Sequence, residues 1–175
     1  PLNPRGNDQS PLAFNRAKLY SGKALDFDGV SDSISEQTIS IPTDNFSISI
    51  YAKGDALGLN SSLLSFGDGS TFNLILYPYD SASSGVRIYD RQIPGTLLEG
   101  VIAELGVYNM FTMQCDGEFL ELYINGQFVK KSARTYSSTY TRIQIGKVLN
   151  TSQYFNGQIS NVKLFNTALT AAQIA

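Results

Sequence analysis

Asp116-Gly117-Glu118-Phe119-Leu120-Glu121-Leu122-Tyr123-Ile124-Asn125-Gly126 sets two Asx-Gly pairs around a short run of alternating residues. Leu120, Leu122 and Ile124 interleave with Glu121 and Tyr123. Successive side chains of a strand point to opposite faces, so this run predicts a strand with one buried and one wetter face. Asp-Gly and Asn-Gly tolerate the positive φ that tight hairpin turns demand. The residues before and after, Tyr108–Cys115 and Gln127–Lys131, are strand candidates too. Together they form a three-stranded antiparallel meander.

The same period of two runs outward through the chain. Phe46, Ile48, Ile50 and Ala52 alternate with Ser47, Ser49, Tyr51 and Lys53, and Phe72, Leu74 and Leu76 with Asn73 and Tyr77. Further strands are predicted over Ala24–Asp28, Ser33–Glu36, Leu63–Phe66, Val86–Tyr89, Arg142–Gly146 and Gln158–Phe165. Asp28-Gly29, Asp68-Gly69 and Asn156-Gly157 complete a set of Asx-Gly turn signals. Near the end, Leu169-Thr170-Ala171-Ala172-Gln173-Ile174 predicts one helical turn with Thr170 as N-cap. Many short strands with clean alternation predict an all-β, two-sheet antiparallel jelly-roll sandwich. The chain has 175 residues, enough for one domain with its own core. Pro1, Pro4 and Pro11 crowd the start, so residues 1–12 read as an extended arm or linker and 13–175 as the domain.

Composition removes whole classes of chemistry. There is no histidine, which excludes Ser-His-Asp and Cys-His catalysis and His-ligated zinc. The single cysteine, Cys115, excludes an intrachain disulfide. Net charge is −2 and the basic residues do not cluster beyond Lys130-Lys131, which argues against nucleic acid as a partner. Apolar runs fall far short of the ~18 residues of a membrane span, so no membrane insertion is expected.

Several segments, in order, resemble the laminin G-like, or concanavalin A-like, jelly rolls related to pentraxins. Ala24 to Val30 matches a strand ending in Phe-Asp-Gly, Phe46 to Lys53 matches the family's F-T-I-S-F-W-V-K strand, and Leu63 to Asp68 matches I-L-S-F-G-D. The hairpin from Asp116 to Gly126 matches the family's D-G-x-L-x-L-Y-V-N-G. Ile145-Gly146, Phe155 to Asn166 and Leu169 to Ile174 match the closing motifs. Tyr51 stands where the family usually has tryptophan, Tyr108-Asn109-Met110 where it has W-H-H, and Ser160-Asn161 where an acidic pair is common. The resemblance implies a jelly roll, lectin-like recognition, and in some members a calcium site with a carboxylate in the last strand. Here Asn161 and backbone carbonyls would be the neutral oxygens left for it, since calcium takes six to eight hard oxygens.

The residues bear on three kinds of site. Glycoside hydrolysis needs two carboxylates facing one groove, about 5–5.5 Å apart in retaining enzymes. Asp116, Glu118 and Glu121 are the nearest cluster, and they read as a solvated hairpin end rather than an acid pair. No enzyme is expected. Sugar sites combine an aromatic platform with hydrogen-bonding groups. Two tyrosine-bearing loops offer that pattern: Tyr77, Tyr79 and Asp80, and Arg134, Tyr136, Tyr140 and Arg142. Asp68, Asp80 and Asp90 are candidate calcium ligands, each also readable as an ordinary turn aspartate, so no cofactor is required. The functional expectation is a non-enzymatic recognition module for a surface glycan, displayed outside a cell or on a virion. The rival is a structural decoration or appendage domain, such as a phage fibre module, that assembles with neighbouring proteins through its arm.

Overall fold

The computed structural model describes residues 24–55, 61–68, 71–80, 85–91, 96–101, 103–134 and 138–175, so the expected arm lies outside the described residues. The first strands are β1 (Leu25–Asp28), β2 (Ile34–Pro42), β3 (Asn45–Gly54), β4 (Leu64–Asp68), β5 (Thr71–Asp80) and β6 (Gly85–Asp90). There follow β7 (Thr96–Val101), β8 (Asn109–Asp116), β9 (Phe119–Ile124), β10 (Gln127–Ala133), β11 (Thr139–Ile145), β12 (Asn156–Phe165) and a single helical turn, α1 (Ala171–Ile174). They make two six-stranded sheets, ordered β1-β12-β3-β8-β9-β10 and β2-β11-β4-β5-β6-β7. Neighbouring strands pair antiparallel, as the jelly-roll reading requires.

The alternation predicted for β3 holds residue by residue. Phe46, Ile48, Ile50 and Ala52 are wholly buried between the sheets, facing Leu64 and Phe66 of β4 and Leu74 and Leu76 of β5. Phe46 meets Phe66 edge-on at 5.5 Å and Tyr140 at 5.7 Å, while Phe66 and Tyr140 stack at 4.8 Å, so three rings bolt the sheets together. Burying each such side chain stabilises by about 1.5–3 kcal/mol.

Turn chemistry fixes the meander. Asp116 Oδ1 accepts the N–H groups of Glu118 (3.0 Å) and Phe119 (2.8 Å), closing the β8–β9 turn. Asn125 and Gly126 both have positive φ, 51° and 78°, as a two-residue hairpin turn between β9 and β10 demands. Asp28 likewise caps its own turn, taking the backbone N–H groups of Val30, Ser31 and Asp32.

The structure departs from the sequence reading at three places. Asn156-Gly157 is not a turn: it opens β12, where Gly157 pairs with Gly54 and a Cβ would collide with the Lys53 carbonyl oxygen. Strand β2 runs to Pro42 rather than Glu36, as an edge strand with Ile41 as its one buried residue, so its hydrophobic signal is weak. Strand β7, with no clean alternation in Thr96–Val101, was not foreseen.

Candidate functional site

Of the tyrosines expected to meet a sugar, Tyr77, Tyr79 and Tyr140 do not present their rings. Tyr77 is buried, and its hydroxyl donates to Gln153 Oε1 (2.9 Å) beneath the segment 147–154 that crosses its sheet. Tyr79 is 1% exposed. A bulge sets Pro78 and Tyr79 of β5 opposite one residue of β6, which flips the alternation and turns Tyr79 into the core. There burial pushes its phenol pKa up, against a hydrogen bond from Asn109 Nδ2 (3.1 Å) that pulls it down. Arg134 and Tyr140 are both fully buried, Arg134 pairing with Asp90 through Nε at 2.7 Å. Arg142 Nη1 is held on both oxygens of Glu36, at 2.9 and 3.0 Å. Tyr136 and the side chain of Asp80 lie outside the described residues.

The candidate calcium ligands do not converge. Asp90 is consumed by Arg134, while Asp68 and Asp80 close opposite ends of β5, pairing with Thr71 and Gly85 respectively. Among the described residues no group of three or more acids, histidines or cysteines is arranged to hold a metal. The acidic hairpin is equally occupied: Asp116 caps its turn, and Glu121 accepts from Gln114 Nε2 (2.9 Å) and the Tyr123 hydroxyl (2.8 Å). Burial, and then Glu121, push the Tyr123 pKa up to about 12.

A different surface is open. On the outer face of the first sheet, Ser47, Ser49, Tyr51 and Lys53 of β3 point away from the core. The chain after β12 folds back over one end of this face. Leu169 N–H donates to Ser47 Oγ (3.0 Å) and Gln114 Oε1 (2.9 Å), and Ala168 N–H donates to Asn45 Oδ1 (2.8 Å). Gln173 Oε1 accepts from the Thr170 N–H (2.9 Å), which caps α1 as its sequence predicts, and Ile174 is buried at 3% exposure. Between this strap and β12 lies a groove of about 260 Å³. Ser49, Tyr51 and Met110 line it from β3 and β8, Asn161, Lys163 and Phe165 from β12, and Leu169, Gln173 and Ile174 from the strap.

Two details shape this groove. Tyr51 is 38% exposed and stacks on Tyr108 at 5.0 Å with 8° between the planes, so one ring face is covered by Tyr108. The Tyr108 hydroxyl donates to Gln158 Oε1 (2.5 Å), and Gln158 Nε2 to Asp26 Oδ1 (2.6 Å), which fixes the backing ring. On β12 a bulge sets Asn161 and Val162 opposite Ile50, with Asn161 at φ 46°. Val162 and Leu164 therefore pack on the core, while Asn161, Lys163 and Phe165 turn to the groove. The period-two pattern had already put Tyr51 on the wet face of β3. The bulge left no such trace.

Two antiparallel sheets stacked face to face, with an open, aromatic-lined groove on one outer face, define a lectin-like jelly-roll domain. A laminin G profile described as the concanavalin A-like lectin/glucanases superfamily matches residues 28–175, and the chain belongs to that family. Among solved structures it is similar to a SAP-like pentraxin from Limulus polyphemus, with TM-score 0.65 and 14% identity over 87% of this chain and 80% of that one. It is also similar to the CBM40 of a Ruminococcus gnavus IT-sialidase, with TM-score 0.62 and 17% identity over 87% and 94% of the two chains. Domain 4 of AbnA, a GH43 extracellular arabinanase from Geobacillus stearothermophilus solved with arabinotriose, gives TM-score 0.63 and 16% identity over 86% and 69%. At these identities the likeness establishes the fold. No curated protein matches the chain in sequence. Among the described residues no helix is long and apolar enough to cross a membrane.

Proposed function

We propose that this domain is a non-enzymatic glycan-binding module whose site is the groove between β12 and the C-terminal strap. The observation that carries the reading is the half-exposed Tyr51 ring, braced by Tyr108, beside the amide of Asn161 and the ammonium of Lys163. A sugar offers an apolar C–H face and a rim of hydroxyls, and an aromatic ring with amide and ammonium donors complements both. Bracing lowers the entropy lost when the ring is immobilised by a ligand. Two fold relatives, one named a CBM40 and one solved in complex with arabinotriose, support the reading by analogy.

A groove this small takes one or two sugar rings, so a single site binds weakly and display in many copies at a cell or virion surface makes it useful. Tetramerised chain should be retained on a glycan array, and Tyr51→Ala should lower retention at least tenfold while leaving the melting temperature within a few degrees. Undiminished retention by Tyr51→Ala would remove the groove as the site.

A further inference from the structure

Among the described residues one charged side chain lines the groove, and it is a cation. Lys163 stands directly opposite Ser49 in the β12–β3 register, one side-chain step along the face from Tyr51, about 7 Å by strand geometry. The carboxylates on this face are spoken for by other partners. Asp26 accepts from Gln158 at 2.6 Å, Glu121 from Gln114 and Tyr123, and Asp55 pairs with Lys53 at 3.6 Å. None of them lines the groove, and the described ion pairs do not include Lys163. An unpaired ammonium beside an aromatic face sets a positive local potential in a protein whose net charge is −2. Asn161, held by its bulge on the same wall, adds an amide donor to the same groove.

We infer that the groove selects sugars carrying an anionic group, carboxylate or sulfate, over their neutral counterparts, with the ring on Tyr51 and the anion at Lys163 Nζ. This rests on the glycan-binding reading above and narrows it to a ligand class. The pair is solvent-accessible, so the preference is modest and falls with salt.

The test is retention of the streptavidin-tetramerised full chain on beads bearing four ligands at equal density. These are glucuronic acid and glucose for the carboxylate arm, and galactose 6-sulfate and galactose for the sulfate arm. The expected result is roughly fivefold stronger retention of at least one acidic ligand over its neutral partner at 50 mM salt, shrinking at 500 mM. Lys163→Gln should abolish that difference, bringing retention of the acidic ligand down to that of its neutral partner, and Lys163→Arg should restore it. Equal retention of acidic and neutral ligands by the wild-type chain overturns the inference and leaves glycan binding standing. A preference that survives Lys163→Gln also overturns it, because the anion would then sit elsewhere. Retention of none of the four, with none on a broad neutral array, overturns both readings together.

Discussion

Arg134 donates through Nε to Asp90 at 2.7 Å and through Nη2 to the Tyr140 hydroxyl at 2.5 Å, and a third bond reaches the Thr43 carbonyl. Arginine, aspartate and tyrosine are all fully buried. Desolvating two charges costs nearly what their attraction returns, so the intact pair adds little net stability. Removing one member is another matter, since it strands the other charge in the core. Asp90→Ala should therefore cost about 3–5 kcal/mol in urea unfolding, against about 1–3 for Tyr140→Phe, which strands only one donor. Asp28 makes its prediction through pH. Backbone N–H groups of Ser31, Asp32 and Val30 hold its carboxyl well below the ordinary value of 3.8. The contribution is therefore complete above that value and drains away as pH falls below it toward the folded value. Wild type should exceed Asp28→Asn in stability at pH 7, with the gap closing as unfolding is followed from pH 4 downward.

At the scale of the element, β12 is the strand on which the site depends. Its bulge lets one strand serve two masters, sending Val162 and Leu164 to the core and Lys163 and Phe165 to the groove. The left-handed φ of Asn161 makes this possible, because asparagine tolerates a conformation that costs most side chains about 1–2 kcal/mol. Backbone and side-chain roles separate by substitution. Asn161→Gly should keep or slightly raise the melting temperature yet weaken glycan retention, having lost the amide. Asn161→Val should lower the melting temperature by several degrees, and circular dichroism melts beside bead retention would distinguish the two.

Taken whole, the molecule is closed by its most distant partners. Strand β12 lies between β1 and β3, so residues separated by more than a hundred positions must meet, as Leu25 does with Ile159 and Ile48 with Leu164. Such non-local pairing costs loop entropy before it returns contacts, which places folding in the millisecond-to-second range. The same geometry leaves the groove shallow and the ligand partly in water. Monomeric chain should accordingly bind too weakly for calorimetry near 1 mM, whereas the tetramer should gain at least a hundredfold in apparent affinity on the same glycan surface. Equal affinity for the two forms would rule out the shallow groove as the site.

What the order of residues settled unaided was the sandwich. Alternation and Asx-Gly turns are local, and Phe46 to Lys53 or Asp116 to Gly126 carry them within a few positions, so the meander, the Thr170 cap, the buried face of β3 and most other strands, though not β7, could be read directly. Which tyrosines face water was beyond that reach. Tyr79 turns inward because of a bulge, Tyr77 because a segment seventy residues later lies on it, and Tyr140 because a buried arginine and two phenylalanines enclose it. Tyr51 stays partly open, with Tyr108 on one ring face and the groove beside the strap around it. Exposure depends on what the remote chain covers, and only the folded packing decides that.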